Sequence, residues 1–89
     1  MKKKVYVITI LAEHESFDTN AYSMLKTNIE EVKEYLREER DDYIDMYGIR
    51  QISVEIMNKW IDNNLETQSS LELKGPEYTI EFTINTYEI

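Results

Sequence analysis

The one histidine of the chain, His14, is the side chain best suited to acid–base or metal chemistry, and it stands between two carboxylates in Glu13-His14-Glu15. An imidazole titrates near neutral pH and binds zinc, so the triplet suggests two possible functions, a general base and a metal site. A zinc site needs three or four ligands, and no spacing elsewhere in the sequence supplies the others. We therefore expect His14 to be a solvated loop histidine, with no catalytic residue and no metal ligand in the chain.

The other parts of recognised catalytic centres are missing from the sequence. There is no cysteine, which excludes thiolate nucleophiles, disulfides and iron–sulfur sites. The two glycines, Gly48 and Gly75, stand too far apart for a phosphate-binding loop, and no G-x-S-x-G motif occurs. Because 18 of the 89 residues are acidic, pairs of carboxylates carry no information about acid–base catalysis. We expect a binding protein that has no enzymatic activity and no cofactor.

The acidic balance of the chain restricts its partners. The formal net charge is −8, from 18 acids and 10 bases. Nucleic acids are bound by basic surfaces that displace counterions, and anionic membranes attract basic segments. The charge therefore argues against direct binding to nucleic acid or to a membrane, and it favours a basic protein as partner.

The strongest charge pattern lies between residues 30 and 45, where eight acids face three bases and account for −5 of the net charge. Five of these acids recur at steps of 4, 4, 3 and 4, which is the spacing of one helical face. Two interpretations stay open: a solvated face partly neutralised by pairs such as Glu30–Lys33 and Arg37–Asp41, or a negative surface that docks on a basic groove. Tyrosines among the acids favour the second, since tyrosine is common at interfaces. The predicted partner-binding residues are Glu30, Glu34, Tyr35, Glu38, Asp41, Asp42, Asp45 and Tyr47.

The elements that must position these residues begin with a strand at 4–12, where apolar side chains occupy both alternating faces. Such a strand is covered on both sides, or on one side by a partner. A loop is predicted at 13–20, in which Asp18, Thr19 or Asn20 caps the next helix. The helix is predicted over 21–47 and ends before Gly48, which adopts a left-handed conformation at no steric cost. Its apolar stripe is Tyr22, Leu25, Ile29, Val32 and Leu36.

The second half of the chain predicts one more helix and a hairpin. Residues 49–57 fit either a strand or a helix, and the longer helical pattern favours a helix at 53–63 with Ser53 as its cap. A polar loop at 66–69 leads to strands at 70–74 and 77–88. The alternation changes parity after Ile84, which predicts a bulge or the end of pairing near Asn85.

These elements predict one α+β domain over residues 1–89, in the order β-α-α-β-β. The simplest architecture is a three-stranded, mostly antiparallel sheet with both helices packed on one face. The narrow helix stripe, the two-faced first strand and the edge of the hairpin are all candidate surfaces for a homodimer.

In size, charge and lack of catalytic parts, the chain resembles the small acidic proteins that phages encode against host defences, including CRISPR inhibitors and DNA mimics. The resemblance is one of composition. It implies an inhibitor whose negative helix face occupies the basic nucleic-acid-binding site of a partner protein. The alternative is a non-catalytic structural or assembly module that acts as a homodimer. The absence of cysteines and of a cleavable signal segment leads us to expect a cytoplasmic location.

Overall fold

The fold comes from a computed structural model of the chain, which describes residues 3–14, 19–63, 65 and 69–89. Its elements are four strands and two helices, in the order ββααββ. They are β1 (Lys4–His14), β2 (Asn20–Lys26), α1 (Ile29–Tyr47), α2 (Gln51–Asp62), β3 (Ser70–Lys74) and β4 (Tyr78–Glu88). The strands form one antiparallel sheet in the order β2-β1-β4-β3, so β1 and β4 are central.

The core lies between one face of this sheet and the two helices. Alternation along the strands places the even-numbered residues of β1 and β4 on that face, with Ile10 beside Phe82 at its centre and both fully buried. The short strand β3 adds Leu71 and Leu73. The helices cover the sheet with Val32, Leu36 and Tyr43 from α1 and with Val54, Met57, Trp60 and Ile61 from α2. The predicted α+β class is confirmed, as is a hairpin formed by the last two strands.

The predicted three-stranded sheet is wrong, because residues 20–26 form a strand and not the start of the long helix. This segment contains good helix formers, and its Tyr22 and Leu25 continue the spacing of the α1 stripe. As an isolated segment it therefore favours a helix. In the fold it pairs along its whole length with β1, which would otherwise be an edge strand with unpaired backbone groups. This non-local pairing outweighs the local propensity, and the loop predicted at 13–20 is replaced at both ends by strand.

Helix α1 begins later in the chain than predicted. Helix α1 begins after Asn28, whose side-chain oxygen accepts a hydrogen bond from the backbone N–H of Glu30 at 2.7 Å. The predicted caps Thr19 and Asn20 are far from this helix, and Asp18 lies outside the described residues. Gly48 ends α1 in the left-handed conformation, with φ at 61°, as predicted.

Residues 51–62 form a helix, so the helical interpretation of the ambiguous segment is confirmed. Ser53 is not its cap, because the helix begins earlier, after Arg50. The Ser53 hydroxyl is instead buried against β3, where it accepts a hydrogen bond from the backbone N–H of Lys74 at 3.2 Å. The Ser53 side chain therefore links α2 to β3. The local sequence does not distinguish this role from that of a helix cap.

The predicted interruption near Asn85 is also wrong. Strand β4 pairs with β1 in one unbroken register from Tyr78 to Glu88. The parity change has another cause: Tyr87 lies opposite Val5 on the face of the sheet that points away from the helices. No helix or strand of the described chain lies on that face, which we call the open face. Its apolar residues interrupt the alternation without interrupting the strand.

Candidate functional site

The acids predicted to share one helical face do so. Along α1, the side opposite the buried stripe carries five carboxylates, all of them exposed. We call them the acidic row: Glu30, Glu34, Glu38, Asp41 and Asp45. The row forms because the sequence places its acids out of phase with Val32, Leu36 and Tyr43, which anchor the helix on the sheet. Sheet packing therefore fixes the direction in which the carboxylates point.

Neutralisation of the row is partial. Lys33 contacts Glu30 at 3.6 Å, and Arg40 contacts Asp41 at 3.0 Å, in place of the expected Arg37–Asp41 pair. Arg40 is also held on the α2 side, because its guanidinium donates a hydrogen bond to the side chain of Asn58. The other three members of the row, Glu34, Glu38 and Asp45, have no ion pair within the described part of the chain. Their charges are open to a partner.

A second group of acids flanks the row on the side of β2. Asp42 is exposed, whereas Glu39 is half-buried and shares a hydrogen bond with the hydroxyl of Tyr35. Burial, followed by the nearby charge of Asp42, raises the pKa of Glu39 above its ordinary value, although the bond to Tyr35 opposes the shift. The flank therefore extends the negative surface of the row toward β2, with Asp42 as its exposed charge.

The two tyrosines assigned to partner binding lie in different places. Tyr35 is half-buried beside β2, with the Lys26 ammonium 5.6 Å from its ring centre. Burial and then Glu39 raise the pKa of Tyr35 to about 12, so its hydroxyl keeps its proton at neutral pH. Tyr47 lies at the rim of the core, away from the acidic row, and stacks on Tyr43 at 5.5 Å and on Tyr78 at 3.9 Å. The structure therefore brings Tyr35 next to the acids but separates Tyr47 from the row.

The expectation of a solvated loop histidine at His14 is wrong. Strand β1 continues through His14, which pairs with Tyr78 of β4, and its side chain is 9% exposed. The His14 Nε2 lies 3.2 Å from a carboxylate oxygen of Glu77, in the turn that precedes β4. The ring of Tyr78 meets the imidazole edge-on at 4.5 Å between ring centres. Glu77 is 63 positions away in the sequence, so no local pattern could have revealed this pair.

The His14–Glu77 pair borders a cavity of about 120 Å³. It is lined by Glu13, His14, Gly75, Glu77, Tyr78 and Thr79. A histidine and a carboxylate at this distance can hold and exchange a proton. Across the described residues, no three histidine or carboxylate side chains, here or elsewhere, are placed so that they could hold a metal ion together.

A larger and shallower groove, of about 500 Å³, separates α2 from the outer edge of β3. The apolar side chains on its helix side are Ile52 and Ile56, which are 65% and 51% exposed. The sequence pattern did not indicate this groove, because its lining residues come from two separate elements, α2 and β3, with one more residue from β4. Near its start the two elements are joined, since the Arg50 N–H donates to the Lys74 carbonyl at 2.9 Å.

In the described part of the chain, neither helix is both long and apolar enough to span a bilayer. The chain matches no known protein-family model, and comparison with curated proteins and with solved structures likewise finds no match. Function must therefore be argued from the surfaces of the molecule itself.

Proposed function

We propose that this chain is a small protein-binding inhibitor whose acidic row docks on the basic nucleic-acid-binding surface of a partner protein. The observation that carries the proposal is a set of three exposed carboxylates that form no ion pair among the described residues and lie in line on α1: Glu34, Glu38 and Asp45. In this proposal the chain acts by occupying a site and not by catalysis.

The dimensions of the row suit a partner that binds nucleic acid. From Glu30 to Asp45 the helix rises about 22 Å, with neighbouring carboxylates separated by about 5–6 Å along the face. Charges on one DNA strand rise by about 3.4 Å each, so the row is sparser but of the same order. A groove whose lysine and arginine side chains bind phosphates can therefore bind the line of carboxylates on α1, because the spacing of the charges is of the same order.

The surroundings of the row favour rapid association with such a groove. The helix as a whole carries eight acids and three bases, so its field attracts a basic surface before contact is made. Asp42 widens the negative surface, and Tyr35 offers a rigid ring beside it. Tyr47 would contribute at the edge of the interface at most, because two rings already cover it.

The same proposal includes the class of inhibitor that the composition resembles. A phage-encoded protein against a host defence system, such as a CRISPR inhibitor, would act on a cytoplasmic protein with a basic channel. The support is the small size, the charge of −8 and the exposed row. The alternative class, a homodimeric assembly module, is favoured by a separate observation, the apolar residues on the face of the sheet that no described helix or strand covers.

The test compares two variants that lose the same charge at different places. The first is Glu34→Gln/Glu38→Gln/Asp45→Asn, which neutralises these three carboxylates of the row. The control is Glu55→Gln/Asp62→Asn/Glu72→Gln, which removes three exposed carboxylates elsewhere. Both variants and the unaltered chain serve as bait in a bacterial lysate treated with nuclease. The affinity of each captured protein is then measured at 50 and 300 mM NaCl, with and without competing double-stranded DNA.

We expect the row variant to bind the partner at least about tenfold more weakly, which corresponds to about 1.4 kcal/mol, and the control to stay within about threefold. Binding should weaken with salt, and DNA should displace the chain because both occupy one site. A partner bound equally well by both variants, or one that DNA does not displace, would show that the row is only a solvated helix face.

A further inference from the structure

The outer edge of β3 is a surface that the proposed function leaves unused. In the sheet order β2-β1-β4-β3, this strand has a neighbour on one side only. Lys74 directs both of its backbone groups away from β4, because its N–H donates to the hydroxyl of Ser53 and its carbonyl accepts from the N–H of Arg50. Alternate residues of a strand direct their backbone groups to the same side, so those of Glu72 and Ser70 also point to the outer edge.

The edge is closed at Lys74 and open beyond it. Both Glu72 and Ser70 are exposed, and on this side their N–H and carbonyl groups make no hydrogen bond to another described residue. In an antiparallel ladder, a residue placed opposite such a position exchanges two hydrogen bonds with it. A further strand with one residue opposite Glu72 would therefore continue the sheet, which is a common way for proteins to bind extended peptides.

The groove between α2 and β3 lies along this open edge, since Ser70 and Glu72 line it. Its volume of about 500 Å³ is within the range of ligand pockets, about 300–1,000 Å³. Ile52 and Ile56, on its helix side, are one turn apart, which is about 6 Å along α2. In an added strand, the two neighbours of the residue opposite Glu72 point to the helix side, as the buried neighbours of Glu72 do in β3, and lie about 6.6 Å apart. The spacing suits two apolar side chains, one against each isoleucine.

The charges beside the edge call for a cation. Glu72 lies directly opposite Glu81 of β4, and like charges in this arrangement repel each other. Lys74 contacts Glu72 at 3.8 Å, while Glu81 makes no ion pair within the described part of the chain. Two carboxylates therefore share one ammonium group. A residue opposite Glu72 on an added strand points to the same face of the sheet, so an arginine there supplies the second cation and can bind a carboxylate through two parallel hydrogen bonds.

We propose that the outer edge of β3 binds an extended segment of a partner protein as a fifth, antiparallel strand, and that this segment has the alternating pattern apolar–basic–apolar. Its basic residue lies opposite Glu72, and its two apolar residues lie against Ile52 and Ile56. The contact uses none of the acidic row on α1, so it goes beyond the proposed function and does not rest on it.

Charge also argues against a second copy of this chain as the occupant. Two β3 edges that pair antiparallel about Glu72 place this carboxylate opposite its own counterpart, with both Glu81 side chains nearby. The same register needs the backbone groups of Lys74, which are already bonded to α2. Two chains of charge −8 also repel each other as a whole. A basic segment relieves the repulsion that a second copy would increase.

The test uses the peptide acetyl-Thr-Val-Arg-Val-Thr-amide, added to the ¹⁵N-labelled full chain and followed through the amide NMR signals. Two control peptides carry one N-methyl group each and keep the same charge. Methylation of the arginine nitrogen removes the N–H that faces β3, whereas methylation of the next valine nitrogen removes one that points away. We expect a dissociation constant below about 1 mM, shifts at Glu72 and Ser70, a loss of at least about tenfold with N-methylarginine and a change below about threefold with N-methylvaline.

Two variants of the chain test the choice of a basic segment. Glu72→Gln/Glu81→Gln removes the facing carboxylates and should weaken peptide binding at least about fivefold. The matched control, Glu34→Gln/Glu38→Gln, removes the same charge from the acidic row and should change binding by less than about twofold. All four substitutions are of side chains that are exposed or half-buried, and circular dichroism confirms that both variants are folded.

Each contrary outcome overturns a stated part of the proposal. No shift in β3 at about 2 mM peptide, or equal losses with the two methylated peptides, would show that the charges of β3 only protect an unused edge. Shifts confined to α1, or equal effects of the two chain variants, would place the peptide on the acidic row. Shifts in β3 that depend on chain concentration without peptide would make a second copy the occupant. The row can lose its protein partner in all of these cases or in none, so this proposal and the proposed function fail independently.

Discussion

The hydrogen bond between the hydroxyls of Tyr22 and Tyr43 joins the edge strand β2 to the helix α1, and it offers a sharp test of the fold. The two residues are 21 positions apart. If both belonged to one long helix, as the periodicity suggests, they would be separated by about 32 Å and could not interact. A measured coupling between them therefore distinguishes the strand from the helix.

The expected energies differ because the two rings differ in burial. Tyr43 is 2% exposed and Tyr22 is 45% exposed. Tyr22→Phe leaves the buried hydroxyl of Tyr43 without its partner, which costs about 1–3 kcal/mol, whereas Tyr43→Phe leaves a hydroxyl that can reach water and costs about 0.5–1.5 kcal/mol. The double variant should cost little more than Tyr43→Phe alone. The coupling free energy is then close to the cost of Tyr22→Phe alone, about 1–3 kcal/mol.

The assay is urea denaturation at pH 7, followed by circular dichroism, on the two single variants and the double variant. Small domains have a free energy of unfolding of about 5–15 kcal/mol, so losses of this size are measurable. The control cycle pairs Tyr22→Phe with Tyr87→Phe, because Tyr87 lies on the opposite face of the sheet and should be additive. Additivity within about 0.3 kcal/mol for Tyr22 and Tyr43 would refute the contact and the placement of β2 under α1.

Two further predictions concern the start of α1 and its half-buried acid. Asn28→Ala removes the cap of α1 and should lower the free energy of unfolding by about 1 kcal/mol. Asn20→Ala, in the edge strand, should change it by less than about 0.5 kcal/mol. Thermal unfolding measures both variants, and a larger loss for Asn20→Ala than for Asn28→Ala would place the start of the helix near residue 20. Glu39→Gln should stabilise the protein at pH 7 by roughly 0.5 kcal/mol or less, a small value because water screens the half-exposed group. Burial and then Asp42 raise the pKa of Glu39 above its unfolded value of 4.5, so the stability linked to its proton is complete below pH 4.5 and is lost as the pH rises through the folded pKa. The gain from Glu39→Gln should therefore vanish at pH 4, and an equal gain at both pH values would show that the charge is not its cause.

The sequence predicted those parts of the fold that depend on neighbours in the chain. The alternation in β1 and β4, the stripe of α1 from Ile29 onward and the left-handed Gly48 follow from periods of two or 3.6 residues and from the conformational freedom of glycine. The line of carboxylates on α1 follows from the same period. Local spacing determines which side chains share a face, so these features needed no knowledge of the rest of the molecule.

Other features were decided only when distant segments met. Residues 20–26 suit a helix by composition and became a strand because β1 had an unpaired edge, and His14 became buried because β4 brought Glu77 and Tyr78 to it. Likewise, the position of Tyr87 in the sequence pattern suggests that the strand is interrupted. The register shows instead that Tyr87 lies beside Val5 on the open face of an unbroken strand. Pairing across the sheet depends on backbone groups and surfaces far apart in the chain, and local periodicity carries no information about them.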